Sequence, residues 1–157
     1  MADFYWAKLE FPAGMIDEEV KSALESEGVP ATKIEREGKY GHADDCAYIE
    51  KGIFVLEDSR ARWGQFEDLE KCLVEKGIPF DRESSGFYEI FPERRIFRPG
   101  NNGERSLDKT YLLVDGDPVV SVAAIKERLN DGTLSAYLAD ELPEYRELSD
   151  YIEEVRR

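Results

Sequence analysis

The chain has 157 residues, 41% of them hydrophobic and 11% aromatic, which is too rich in core-forming side chains for a disordered polypeptide and long enough for one domain with a sizeable interior. Its 35 acidic and 21 basic residues leave a net charge of -14, a field that repels phosphate backbones and anionic lipid, so neither direct nucleic-acid binding nor membrane attachment is expected. No run approaches the roughly 18 apolar residues of a membrane span, and the opening MADFYWAKLEFPAG lacks the basic-then-apolar order of a secretory signal. A cytoplasmic location follows as the expectation, with Cys46 and Cys72 as free thiols.

In chain order, residues 4–11 are aromatic-rich and partly alternating, which predicts a strand. Ile16, Val20, Ala23 and Leu24 then recur at helical spacing, with Asp17, Glu18 and Glu19 at the positive end of the helix dipole. Gly28 can take the left-handed conformation that ends a helix, and Pro30 prevents its continuation. Residues 33–40 and 46–50 predict further strand. Residues 53–56 (IFVL) form a short run of the buried-strand type. Phe66, Leu69, Cys72 and Leu73 repeat the helical spacing, followed by Gly77 and Pro79. Residues 80–91 predict another strand.

These segments superpose without a gap at an offset of 49. Glu18 falls on Glu67, Val20 on Leu69, Leu24 on Leu73, Gly28 on Gly77, Val29 on Ile78, Pro30 on Pro79, and the strands align Phe4 on Ile53. The order β-α-β twice in tandem predicts an α+β fold: a ferredoxin-like antiparallel sheet with two helices on one face, over residues 1–103.

Residues 92–106 read as an irregular, arginine-rich connection with a short strand around Arg95–Arg98. Residues 110–114 predict a strand, and Asp117-Pro118 a helix cap and first residue for a helix over 119–129. Two more short helices are predicted over 134–142 and 143–155, the last with Tyr145, Leu148, Ile152 and Val155 on one face. Residues 104–157 are thus a mostly helical extension packed on the core, since about 50 residues alone bury too little surface.

No catalytic signature is present: no G-x-S-x-G, no P-loop and no GxGxxG. His42, Asp44, Asp45 and Cys46 lack the paired spacings of a zinc site and the alternating oxygens of a calcium loop, so neither a metal nor a cofactor is implied.

Two charge patterns stand out. Residues 1–50 carry 12 acids against 5 bases, residues 51–105 carry 11 against 10, and residues 106–157 carry 12 against 6. The acidic C-terminus places Glu144, Glu147, Asp150 and Glu154 every three or four residues, with Asp140 ahead of them. On one helix this is a line of negative charge on a scale comparable with phosphates along a nucleic-acid strand. The expected function is therefore a non-enzymatic acidic protein docking onto a basic protein, in its most concrete form an inhibitor of a nucleic-acid-handling enzyme. Small size, acidity and an α+β build are shared with phage- and plasmid-borne inhibitors of this kind.

Arg60, Arg62, Arg94 and Arg95 support an alternative, a small-ligand-binding protein or an enzyme acting on an anionic compound, provided the segments that carry them leave the same end of the sheet. A structural homodimer through the sheet face or an edge strand is the third expectation.

Overall fold

The computed structural model describes residues 3–30, 38–40, 45–101 and 103–155. The predicted strand segment 33–37, and His42 and Asp44, lie outside the described residues. In chain order the elements are β1 Phe4–Pro12, a 3-10 turn Ala13–Met15, α1 Glu18–Ser26, β2 Gly38–Tyr40, β3 Asp45–Glu50, β4 Ile53–Arg62, α2 Glu67–Glu75, β5 Phe80–Ser84, β6 Glu93–Arg98, β7 Leu107–Val114, β8 Asp117–Pro118, α3 Val122–Asp131, α4 Leu134–Glu141 and α5 Leu148–Val155. The protein is α+β. Seven strands form one antiparallel sheet in the order β2-β3-β4-β1-β5-β6-β7, and the two-residue β8 pairs on the outer edge of β7.

Each helix forms for local reasons. The Asp17 carboxylate accepts the Val20 N–H at 3.0 Å and caps α1, whereas Phe66, at the head of α2, is apolar and makes no side-chain cap. Both helices end alike. Gly28 and Gly77 hold φ of 84° and 65°, and the next residues donate backward, Val29 N–H to Leu24 O at 2.9 Å and Ile78 N–H to Leu73 O at 2.8 Å. Lys76 binds Asp17 and Glu19 at 2.6 and 2.7 Å, tying the end of α2 to the start of α1. Its hydrogen bond holds the Asp17 carboxyl below the usual carboxylate range.

Val20 and Leu24 of α1 and Leu69 and Leu73 of α2 lie in one buried cluster with Ala7, Leu9 and Phe11, the alternate residues of β1. Phe11 and Phe54 meet at 5.2 Å between ring centroids, and Phe80 and Phe97 stack at 5.7 Å. Cys72 packs partly buried against this cluster, and burial pushes its thiol up. Ile96 neighbours Phe97 in β6 and so faces the other side, where a second cluster gathers Ile96, Tyr111, Leu113 and Tyr145. Also on that side, α5 contacts β1, β4 and the 3-10 turn, burying Leu148 and Tyr151.

Four segments differ from the sequence reading. β4 continues to Arg62, because β3 pairs with it to Asp58 and β1 to Arg62, although its side chains turn polar after Leu56. β5 stops at Ser84, where Gly86 opens a tight hairpin closed by reciprocal Phe87–Ile90 backbone bonds. Asp117-Pro118 is not a helix start: it pairs with Val114 and Leu113, and Ser121 caps α3 instead. The last helix begins at Leu148 rather than 143, because Arg98 captures the Arg146 carbonyl at 2.6 Å and holds residues 145–146 against the sheet.

Candidate functional site

The sheet places the predicted arginines individually. Arg60 and Arg62 stand exposed at the end of β4. There β4 bulges: the Asp58 carboxylate accepts the Arg60 N–H at 2.7 Å, and the register with β1 shifts between Tyr5 and Ala7. The Arg60 guanidinium lies 5.8 Å from the Phe4 ring centroid. Arg94 and Arg95 follow Glu93 at the start of β6, with β1 and β5 between them and β4. As neighbours in a strand they face opposite sides of the sheet. Arg94 pairs with Glu83, and Arg95 binds both oxygens of Asp108 at 2.9 and 2.8 Å. The structure does not bring the four together.

Arg95 belongs to a buried charge network. Glu70 and Arg82 are 3% and 2% exposed. One Glu70 oxygen accepts the Phe66 N–H at 3.0 Å, supplying the cap that Phe66 lacks, and lies 3.2 Å from Arg82 Nε. The other accepts from Arg95 Nη1 at 2.8 Å. Arg82 Nη1 reaches Glu93 at 2.6 Å and the Gly64 carbonyl at 3.2 Å. Arg98, 4% exposed on the opposite side, pairs with Asp81 at 2.7 Å and donates to the Phe80 and Phe97 carbonyls. Sequence reasoning did not single out Glu70 or Arg82. The signals were there: Glu70 sits four residues after Phe66 on the apolar stripe of α2, and Arg82 alternates with inward Phe80 and Ser84.

The acidic residues are placed differently. Asp140 is on α4, Glu144 and Glu147 precede α5, and Asp150 and Glu154 are on α5, all exposed. The five therefore do not form one line on a single helix. Glu154 pairs with Arg146 at 2.8 Å, and the other four have no ion pair among the described residues. Comparison with protein-family models, with curated proteins and with solved structures found no match. Among the described residues, no group of three or more His, Cys, Asp and Glu side chains could hold a metal ion, and no helix is long and apolar enough to cross a membrane.

A second acidic surface covers the helices. Glu18, Glu19 and Glu25 of α1 and Glu67, Asp68 and Glu75 of α2 are exposed. Between the end of α1 and the start of α2, Glu27, Asp58 and Asp68 line a groove of about 190 Å³ together with Trp63. Burial pushes the Glu27 carboxyl up, and the charges of Asp68 and Glu70 add to this against the Leu69 and Asp68 backbone N–H groups. The folded state therefore binds this proton more tightly than the unfolded chain. Stability falls as pH rises from the ordinary carboxylate value of about 4.3 through the raised one. Glu27→Gln is expected to raise the melting temperature relative to wild type at pH 7, and to lose that advantage at pH 3.5. A difference independent of pH would show that the Glu27 charge carries no cost.

Proposed function

We propose that this protein is a non-enzymatic binding protein that docks its acidic surface onto a basic protein. The observation that carries this reading is how the charge is distributed. Lys8, Lys21, Lys76, Arg82, Arg94, Arg95, Arg98, Lys109, Arg128 and Arg146 are all engaged by carboxylates within the chain. Asp140, Glu144, Glu147 and Asp150 remain exposed without a cationic partner among the described residues. A dense negative surface that its own bases do not neutralise gains most from a cationic counter-surface, through faster encounter and selection against acidic partners. A cleft built for a phosphate backbone is such a surface, so inhibition of a nucleic-acid-handling enzyme is the concrete form. With Glu144 and Glu147 outside a helix, the fit rests on charge density rather than on even spacing.

The core that presents this surface is read as a duplicated, ferredoxin-like unit. In support, α1 and α2 begin and end 49 residues apart, as do the backbone bonds that close them. Lys8 and Glu57, also 49 apart, stand opposite each other where β1 and β4 pair. A half-turn between these two residues carries one strand onto the other.

The test is capture of a partner on the immobilised chain at about 50 and 200 mM salt, followed by titration of that partner against the variant Glu144→Lys/Glu147→Lys/Asp150→Lys/Glu154→Lys. Retention is expected to fall steeply with salt, affinity to drop at least tenfold in the variant, and duplex DNA to compete with the chain. Unaltered affinity in the variant would remove the proposal.

A further inference from the structure

The side of the sheet that carries α1 and α2 is covered over only part of its width. Seven strands at about 4.8 Å spacing span roughly 29 Å, whereas two helices about 10 Å apart cover roughly 20 Å. The buried cluster beneath α1 and α2 draws on β3, β4, β1 and β5 and stops at Phe97 in β6. Beyond it the ladder sets Glu93 against Leu112. The bond from Leu113 N–H to Pro92 O, 2.8 Å, carries the pairing one step on and places Phe91 beside Val114. The bond from Val119 N–H to Leu112 O, 3.0 Å, places Val119 beside Leu112. Phe91, Leu112, Val114 and Val119 are 58%, 48%, 47% and 44% exposed, so a contiguous apolar strip lies bare at this edge. The neighbouring helices α3 and α4 bury no residue of their own.

Along α2, beside this strip, runs an open groove of about 410 Å³ lined by Glu67, Lys71, Val74, Glu75 and Arg95. The Arg95 charge is already taken by Asp108 and Glu70. Glu67 and Glu75 are exposed with no ion pair among the described residues, and so is Lys71 between them, which leaves this bank one negative charge in excess. The α2 bank is therefore net acidic, and past Arg95 and its partner Asp108 the same sheet face turns apolar at Leu112, leaving a gap about one helix wide.

We infer that this groove receives an amphipathic helix of a basic partner. Its apolar stripe lies on Phe91, Leu112, Val114 and Val119, and its Lys and Arg side chains face Glu67 and Glu75. This is the helix-in-groove mode of recognition, with charge fixing which helices enter. A second copy of this chain does not supply the occupant: α1, α2, α4 and α5 are net acidic, and in α3 Lys126 and Arg128 are balanced by Glu127 and Asp131. The inference rests on the reading of a basic partner and adds where and in what form that partner binds.

The test uses the full chain and a fluorescein-labelled 18-residue peptide of Leu and Lys, with Leu at i, i+3, i+4 and i+7, followed by fluorescence anisotropy. A scrambled peptide of the same composition serves as control, and far-UV circular dichroism checks each variant's fold. The patterned peptide is expected to bind at least tenfold more tightly than the scrambled one. Leu112→Asp/Val114→Asp and Glu67→Lys/Glu75→Lys should each weaken it at least tenfold, while the four C-terminal Lys substitutions should change it less than threefold. If Leu112→Asp/Val114→Asp has no effect while the C-terminal substitutions abolish binding, the groove is wrong and the docking reading stands. If neither peptide binds, both fall. A wild-type dimer that Leu112→Asp makes monomeric would assign the strip to self-association and overturn the inference.

Discussion

Glu70→Ala is expected to lower folding stability by about 3–5 kcal/mol, the usual result of removing one partner from a buried ion pair. The loss has three sources on one side chain. The Phe66 N–H loses its acceptor at the head of α2, Arg95 loses one of its two carboxylates, and Arg82, almost fully enclosed, keeps only Glu93 as a counter-charge. For a chain of this length the change corresponds to roughly 6–20 °C in melting temperature. The asymmetry of such networks supplies the control. Replacing both partners with apolar groups, Glu70→Leu with Arg82→Met, should recover much of the loss, because the fully enclosed cation is then gone, Arg95 keeps Asp108, and the partly exposed Glu93 can reach water. Urea denaturation of the two single variants and the double variant measures this coupling. Equal midpoints for wild type and Glu70→Ala would show that the network carries no net stability.

Gly64→Ala is the second large effect, at about 2–5 kcal/mol. Gly64 turns the chain between β4 and α2 at φ 63°, where an L side chain costs about 1–2 kcal/mol. A Cβ there would also overlap the Tyr5 ring and come within 2.7 Å of Ser84 Cβ. Overpacking of that kind adds about 1–3 kcal/mol. The ring has little freedom to yield, because the Tyr5 hydroxyl donates to the Trp63 carbonyl at 2.7 Å. Gly28→Ala isolates the two terms: Gly28 has φ 84° but nothing within 4 Å of an added Cβ, so only the conformational cost applies. Urea midpoints that fell equally for the two variants would show the Tyr5 contact to be soft.

The helices that carry the core were legible in the sequence to within two residues at each end, because periodicity, first-turn acids and the Gly-x-Pro ending all speak locally. Where tertiary structure decides, the sequence was silent. Residues 57–62 of β4 are strand because β1 pairs with them as far as Arg62, and β3 as far as Asp58, not because of their own pattern. The late start of α5 depends on Arg98, nearly fifty residues away in the chain. The candidate surfaces divide the same way. The C-terminal carboxylates were visible as composition, although their helical alignment was not real. The bare strip of Phe91, Leu112, Val114 and Val119 was not visible, because apolar residues in and beside strands read as core until the layer above them is known to stop short.

The central position of β1 has a consequence for how the protein is made. Both neighbours of this strand, β4 and β5, are encoded downstream of it, the second ending at Ser84. As the polypeptide leaves the ribosome, Leu9 and Phe11 emerge before the strands that will enclose them and wait for those strands. At about 5–20 residues per second that wait lasts roughly 4–15 s. For that interval the apolar face of the most deeply enclosed strand of the finished molecule stays open to water, and the strong negative charge of the chain works to keep growing copies apart.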